Sequence, residues 1–368
     1  MSIRWGIIGC GDVCEVKSAP ALYKVPGSSV SIVMRRDGAK AADFARRHGI
    51  ARSTSDAQAV IEDAQVDAVY IATPPGSHLE YALRVAEAGK PCYLEKPMAR
   101  SAAECQQLVD AFARARQPLF VAYYRRGLPR FRKVQELIES GRLGRLLAVS
   151  HVYQGRAQAP KPGPPSAAPA GWRESVEDSG GGLFLDLGSH VVDLLEFLLG
   201  KLSRVTGFAA RRSTAPGLLA ANAALGLPED TVVLSFASES GVLGTVRHQF
   251  HTSASSDRLE LVGTLGTLSA SVFGQEPLEL RTIERPGASE QVERIEVEQP
   301  AHVHQPLVES IVRQLREEGT CPSTGASVLR ASAVLDAALD DYYGGRQDAF
   351  WLRPETWPGR PVAGAGQR

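Results

Sequence analysis

A doubly wound parallel α/β domain, followed by an α+β domain built on a large, mostly antiparallel sheet, is the fold that this sequence predicts. Three observations predict it. Short apolar runs alternate with helix-length segments up to about residue 123, and a glycine-rich turn follows the first run. Beyond residue 123 the apolar runs come close together, with hairpin-sized links such as Ser238-Glu239-Ser240-Gly241. Strands spaced by helices require crossovers and make parallel sheets, whereas strands joined by short links pair antiparallel. The expected domains are 1–123 and 124–368.

In the first domain, strands are expected at Ile3–Ile8, Val30–Met34, Ala68–Ala72, Cys92–Leu94 and Leu119–Tyr123. Helices are expected at Ala39–His48, His78–Ala88 and Ala102–Arg116, the second closed by Gly89 as a C′ residue. Arg130–Ser140 is amphipathic and ends at Gly141. The second domain reads as strands at Leu146–Tyr153, Arg204–Arg211, Thr231–Ala237, Val242–Phe250, Arg258–Val262, Thr267–Val272, Leu278–Ile283 and Val292–Val297. Helices Leu183–Leu199, Gln305–Glu318 and Ser327–Tyr343 are expected to cover one face of that sheet. Ala157–Gly171, with five prolines, reads as a loop near the site, and Thr214–Glu229 matches no element type.

Bulk properties narrow the function. The chain has 368 residues, enough for about two domains. Its 41 basic and 41 acidic residues balance, which favours neither nucleic acid nor an anionic membrane as partner. No apolar run approaches membrane-spanning length, and a strand from Ile3 leaves no room for a signal peptide. The five cysteines are odd in number without paired metal spacing, and reduced thiols in the cytoplasm are expected. Cys10 and Cys14 lie inside the glycine turn, so no metal is assigned.

Gly9-Cys10-Gly11-Asp12-Val13-Cys14 follows the first strand and opens a helix, the context that a dinucleotide-binding Rossmann turn requires. Gly9 permits the tight turn, Gly11 lets the backbone approach a pyrophosphate, and Cys14 fills the third small-residue slot. The fingerprint calls for an acid at the end of the second strand to hold a ribose 2′-hydroxyl. This chain has Met34-Arg35-Arg36 there, with Asp37 two positions late. Two guanidiniums suit a 2′-phosphate, so the expected cofactor is NADP(H), with NAD(H) second.

Two further motifs carry the chemistry. Glu95-Lys96-Pro97 closes the run Cys92-Tyr93-Leu94, placing a lysine at the sheet edge where open α/β sheets bind ligands. Gly180-Gly181-Gly182 precedes a segment in which Asp186, His190 and Asp193 share one helical face. A polar face among Leu183, Leu185, Leu187, Leu194 and Leu195 is costly unless its groups are satisfied or used, and Asp193 reads as the structural member.

With these motifs in order, the chain resembles the Gfo/Idh/MocA oxidoreductase family along nearly its whole length. The resemblance rests on the loop at 9–11, Thr73-Pro74-Pro75 with His78, Glu95-Lys96-Pro97, Trp172-Arg173 and the run through Asp186, His190 and Asp193. It implies that Lys96, Asp186 and His190 form the catalytic set and that a cis peptide precedes Pro97. It also implies that Trp172 and Arg173 border the cofactor, that Thr73, Pro74, Pro75 and His78 line its nicotinamide side, and that Arg125 touches cofactor or substrate. Tyr153 is assigned to the substrate pocket beside Lys96, Asp186 and His190.

Imidazole titrates near neutrality and is the natural acid/base, with lysine holding the reacting oxygen; the reverse division stays open. The expected reaction is hydride transfer to or from a secondary alcohol or ketone of a sugar, inositol or cyclic diol. A redox-neutral NAD-dependent glycosidase and a non-catalytic NAD(P)-binding sensor are the alternatives. Arg35 departs from the family's usual acid, and Thr324-Gly325-Ala326-Ser327 lacks the acids often found there. An open face of the second sheet suggests a homodimer or homotetramer.

Overall fold

The computed structural model describes residues 2–156, 171–212, 227–285 and 287–360. The proline-rich loop and most of the untyped Thr214–Glu229 segment lie outside the described residues. Two compact units emerge: Met1–Phe131 with Gln299–Leu329, and Arg132–Glu298 with Arg330–Arg368. The boundary expected after residue 123 thus falls inside the helix Pro129–Glu139, and the first unit takes back a later segment.

The first unit is built on six parallel strands: β1 (Ile3–Ile8), β2 (Ser28–Met34), β3 (Arg52–Thr54), β4 (Ala68–Ile71), β5 (Cys92–Leu94) and β6 (Leu119–Val121). Their order is β3-β2-β1-β4-β5-β6, a doubly wound sheet that reverses direction between β1 and β4. Neighbouring residues on each strand feed opposite faces, so β4 and β5 are buried throughout. One face gathers Ile8, Val69, Ile71, Leu94 and Val121 with the helices His78–Glu87 and Ala102–Ala115. The other gathers Trp5, Ile7, Tyr70, Tyr93 and Phe120.

That second face corrects one expectation. The helix Gln305–Leu315, expected over the antiparallel sheet, buries Leu307, Val308, Ile311 and Val312 against Trp5, Tyr93 and Phe120 instead. The physical reason is coverage: the crossovers around β5 and β6 lie on the opposite face, which leaves an apolar surface open. Each such buried aliphatic side chain contributes roughly 1.5–3 kcal/mol. The returning chain also seals the β6 edge, where Val121 and Ser323 exchange hydrogen bonds. β3 and the helix Ala57–Ile61 were not expected, because three to five residues give no readable period.

The second unit holds eight strands: β7 (Leu146–Arg156), β8 (Leu202–Ala210), β9 (Thr231–Ser238), β10 (Leu243–Thr252), β11 (Ser256–Gly263), β12 (Gly266–Ala270), β13 (Leu278–Thr282) and β14 (Gln291–Ile295). Their order is β14-β13-β12-β11-β7-β10-β9-β8, antiparallel except for the β7–β10 pair. One face buries Val149, Val246, Leu259 and Leu261, and Phe184 of the helix Leu183–Leu199 packs edge-on against His248 of β10. The opposite face leaves Phe208 and Val233, paired across β8 and β9, exposed.

A single acid fixes the start of the helix Leu183–Leu199. Both oxygens of buried Glu229 lie 3.0 Å from the Gly182 amide, and the Tyr343 hydroxyl donates to the same carboxylate. A Cβ on Gly182 would collide with the Glu229 carbonyl, so only glycine fits. Arg346 completes the anchor, donating to the Gly180 carbonyl at 2.7 Å and to Asp336 at 2.7 Å. Gly182→Ala is expected to cost about 1–3 kcal/mol in denaturant unfolding. Gly171→Ala, where no atom of the described residues lies within 4 Å, is the control expected near zero.

Candidate active site

In the first unit, the expected nucleotide residues gather at the C-terminal ends of β1 and β4. Gly9 adopts φ +93°, and a Cβ there would lie 2.6 Å from Thr73 Cγ2 and 3.0 Å from the Ala72 backbone. Gly11 is different: its φ is ordinary, and a Cβ would meet only the Gly9 carbonyl at 4.0 Å. Among the described residues no atom therefore demands glycine at Gly11, and the open space over its backbone is what an approaching pyrophosphate would fill. The turn at Gly9 and the open backbone at Gly11 fit the group on this observation.

The segment after the loop opens as a π-helical turn, Cys14–Ser18, rather than directly as an α-helix. Pro20 cannot donate to Val16, so the turn widens and Ala19 N–H bonds to the Cys14 carbonyl. The freed Val16 carbonyl instead lies 3.2 Å from His302 Nδ1. Burial pushes the Cys10 thiol up to about 11 and the Cys14 thiol higher still, so neither is a reactive thiolate at neutral pH. Among the described residues no group of three or more His, Cys, Asp or Glu could hold a metal ion.

At the end of β2, Arg35 is half-buried, with Nη1 3.5 Å from the Cys10 carbonyl, and Arg36 is exposed. Asp37 does not reach back toward the loop. It caps the helix Gly38–His48, accepting from Lys40 N at 3.1 Å and pairing with the Lys40 ammonium at 3.1 Å. No carboxylate is left at the β2 end in the fingerprint position.

Lys96 follows β5, half-buried, and the Lys96–Pro97 peptide is cis. Its backbone is held by Glu95, whose Oε2 accepts the Lys96 amide at 3.2 Å while Oε1 accepts the Tyr70 hydroxyl at 2.6 Å. Burial pushes the Glu95 carboxyl up, opposed by the Tyr70 hydroxyl and the Lys96 charge. His304 extends the network, 2.8 Å from the Tyr93 hydroxyl and 3.8 Å from Glu95. Its pKa falls to about 3, first through burial and then through Lys17, Lys96 and Arg125. Lys17, His304, Tyr70 and Tyr93 were missed in the sequence, since nothing local marks a residue recruited from another element.

Thr73, Pro74 and Pro75 form the turn after β4, and His78 opens the helix that follows. Its ring is fully buried, with Nε2 2.8 Å from the Thr73 carbonyl and Nδ1 3.0 Å from the Pro97 carbonyl. His78 thus braces the Thr73 turn against the Lys96-Pro97 turn. Arg125 is buried, with its guanidinium 4.9 Å from the centre of the Tyr124 ring.

In the second unit, Asp186 and His190 lie on the helix Leu183–Leu199, His190 and Asp193 buried and Asp186 partly exposed. Asp186 Oδ2 accepts from Arg173 Nε at 3.0 Å, and the Arg173 guanidinium stacks 4.3 Å over the Trp172 ring. Tyr153 is half-buried on β7; burial raises its pKa, with further contributions from the charges of Asp257 and Asp186. The structure thus brings Tyr153, Trp172, Arg173, Asp186 and His190 into one neighbourhood. This constellation can hold a hydroxylated ligand and exchange a proton with it.

Comparison with known proteins places these features. Residues 3–123 match the oxidoreductase family with an NAD-binding Rossmann fold, and residues 131–269 match the GFO/IDH/MocA C-terminal domain. Oxidoreductase P35 of Formosa agariphila is 33% identical over 334 residues, covering 91% of this chain and 97% of the relative. Inositol 2-dehydrogenase 2 of Saccharopolyspora erythraea is 33% identical over 274 residues, covering 73% of each. A levoglucosan dehydrogenase in complex with NADH shares the fold, with TM-score 0.80, 23% identity, and coverage of 92% of this chain and 96% of that one. With both of its halves matched by the family's models, the chain belongs to the Gfo/Idh/MocA family of oxidoreductases.

Proposed function

We propose that this enzyme is an NADP(H)-preferring dehydrogenase or reductase acting on a secondary alcohol or ketone of a sugar, inositol or other cyclic polyol. The observation that carries the reading is the placement of Asp186 and His190 on one face of a largely apolar, buried helix. Curated relatives are named for comparable substrates: inositol, levoglucosan and, in a relative from Ensifer adhaerens, 1,5-anhydro-D-fructose.

Nicotinamide, when bound, supplies the hydride acceptor or donor. His190 takes the hydroxyl proton on oxidation and returns it on reduction, since imidazole exchanges protons near neutral pH. Lys96 hydrogen-bonds the reacting oxygen and stabilises its developing negative charge. Asp186 orients His190, and Tyr153 lines the substrate side. Thr73, Pro74, Pro75, Trp172, Arg173 and Arg125 border the cofactor. Arg35 and Arg36 favour a 2′-phosphate, because Asp37 is engaged as a helix cap. Five buried cysteines support a reducing, cytoplasmic setting.

Inositols, levoglucosan and 1,5-anhydro-D-fructose, assayed with NADP(H) and NAD(H) by nicotinamide absorbance, test the reaction. Lys96→Ala and His190→Ala are each expected to lower kcat/KM by about 10²–10⁴-fold. Turnover surviving in both would overturn the assignment. Arg35→Asp should shift the NADP/NAD affinity ratio toward NAD by about tenfold or more, the worth of one charge-assisted hydrogen bond; an unchanged ratio rejects the cofactor preference.

Assembly through the second sheet is part of the same reading, supported by Phe208, 66% exposed beside Val233. Phe208→Asp is expected to convert an oligomer to monomers in light scattering after size exclusion.

A further inference from the structure

On the buried face of the second sheet, three neighbouring strands carry a cluster of polar side chains, of which the proposed reaction uses Tyr153 alone. Asp257 (β11), Tyr153 (β7) and His248 (β10) stand in one cross-strand row. His151, two residues before Tyr153 and therefore on the same face, bridges the outer two: its Nε2 lies 3.1 Å from Asp257 and its Nδ1 3.1 Å from His248 Nε2. His151 and His248 are fully or almost fully buried.

Asp257 is the origin of two arms. In the first, its oxygens accept the amides of Val272 (3.1 Å), Phe273 (2.6 Å) and Gly274 (3.2 Å). That cradle sets the Phe273 ring, which stands 5.3 Å from Tyr153 and 6.4 Å edge-on from His190. In the second, Asp257 holds His151, His151 holds His248, and the His248 ring meets Phe184 edge-on at 5.3 Å. Phe184 and His190 belong to one helix, so both arms of one carboxylate end on the helix Leu183–Leu199.

Proton positions follow from the acceptors. Burial works to raise the Asp257 pKa, but His151 and the Phe273 and Val272 amides outweigh it, so the group is an ionised acceptor. His151 then donates from Nε2 and accepts at Nδ1, which requires His248 to donate from Nε2 and leaves its Nδ1 bare. The His248 Nδ1 is buried without a hydrogen-bond partner. A buried acceptor left in that state is usually a constraint kept for another purpose.

We propose that Asp257 is a positioning residue for His190, acting through the Phe273 cradle and the ordered His151–His248 pair. The inference rests on the reading of His190 as acid/base, but the geometry it asserts is testable without turnover. In the full chain labelled with ¹⁵N/¹³C histidine, His190 is assigned by the signals lost in His190→Gln. Ligand-free protein is expected to show His151 and His248 each protonated at Nε2 and bare at Nδ1.

Asp257→Asn should scramble those tautomers and shift the His190 ring protons. Phe273→Ala should shift His190 while leaving the tautomers unchanged. With the panel substrate that turns over fastest, both variants are expected to lower kcat by about 10–100-fold, the scale of a small misplacement, with KM little changed. Should Asp257→Asn fail to fold, Phe273→Ala and His151→Gln break one arm each. Unmoved His190 signals in the folded variants, or a proton on Nδ1 of both His151 and His248, overturn the proposal. Absence of turnover on every panel substrate would reject the reaction and leave the His190 signals to decide the positioning.

Discussion

A buried carboxylate bonded to a backbone amide is the constraint on which both halves of this enzyme depend. Glu229 shows it most plainly, with both oxygens on the Gly182 amide where only glycine fits. Glu95 repeats the arrangement at Lys96, and Asp257 repeats it three times over at Val272, Phe273 and Gly274. Taking an ionised carboxylate out of water is unfavourable by several kcal/mol unless donors replace the lost hydration. Amides at fixed positions are such donors, and they cannot rotate away. Each acid is therefore stable only if the backbone it holds stays in place, and the backbone stays because the acid is there.

The consequence is a division between rigid bases and accessible tips. Lys96 is half-buried but its amide is pinned by Glu95; Asp186 is partly exposed but its helix is pinned through Glu229, Tyr343 and Arg346. A side chain that must meet a reacting oxygen gains little from its own packing and much from a fixed Cα. His78 belongs to the same logic. Its fully buried ring joins the carbonyls of Thr73 and Pro97, so the turn after β4 and the turn after β5 keep one relative geometry.

Much of this was legible in the sequence, for reasons that differ by element. The parallel sheet was readable because β1, β4 and β5 are buried on both faces and make unbroken apolar runs. Lys96, Asp186 and His190 stand in short motifs that the sequence displays by itself. Glu229, Asp257, His304 and Tyr70 do not, because each acts on a residue distant in the chain, 47 positions away for Glu229 and Gly182. His151 did leave a trace, in the alternation Val149-x-His151-x-Tyr153 on a strand whose inward positions should be apolar. The helix Gln305–Leu315 was found and misplaced. Its apolar stripe specifies a buried face but not which sheet buries it, and the choice came from the uncovered side of β5 and β6.

The end of β2 shows why cofactor preference can vary while the fold does not. In the fingerprint, the acid after the second strand serves the ligand alone. Here the acid is two residues later and serves the chain: Asp37 caps the helix Gly38–His48 through the Lys40 amide. A cap of this kind is worth about 1 kcal/mol, so Asp37 has a reason to remain that is independent of any nucleotide. Arg35 and Arg36 carry no comparable duty, since Arg36 is exposed and Arg35 makes one long contact to the Cys10 carbonyl. Charge at the end of β2 is thus set by residues that folding leaves unconstrained. The glycine turn beside it is held by Thr73 and the Ala72 backbone, so it cannot drift in the same way.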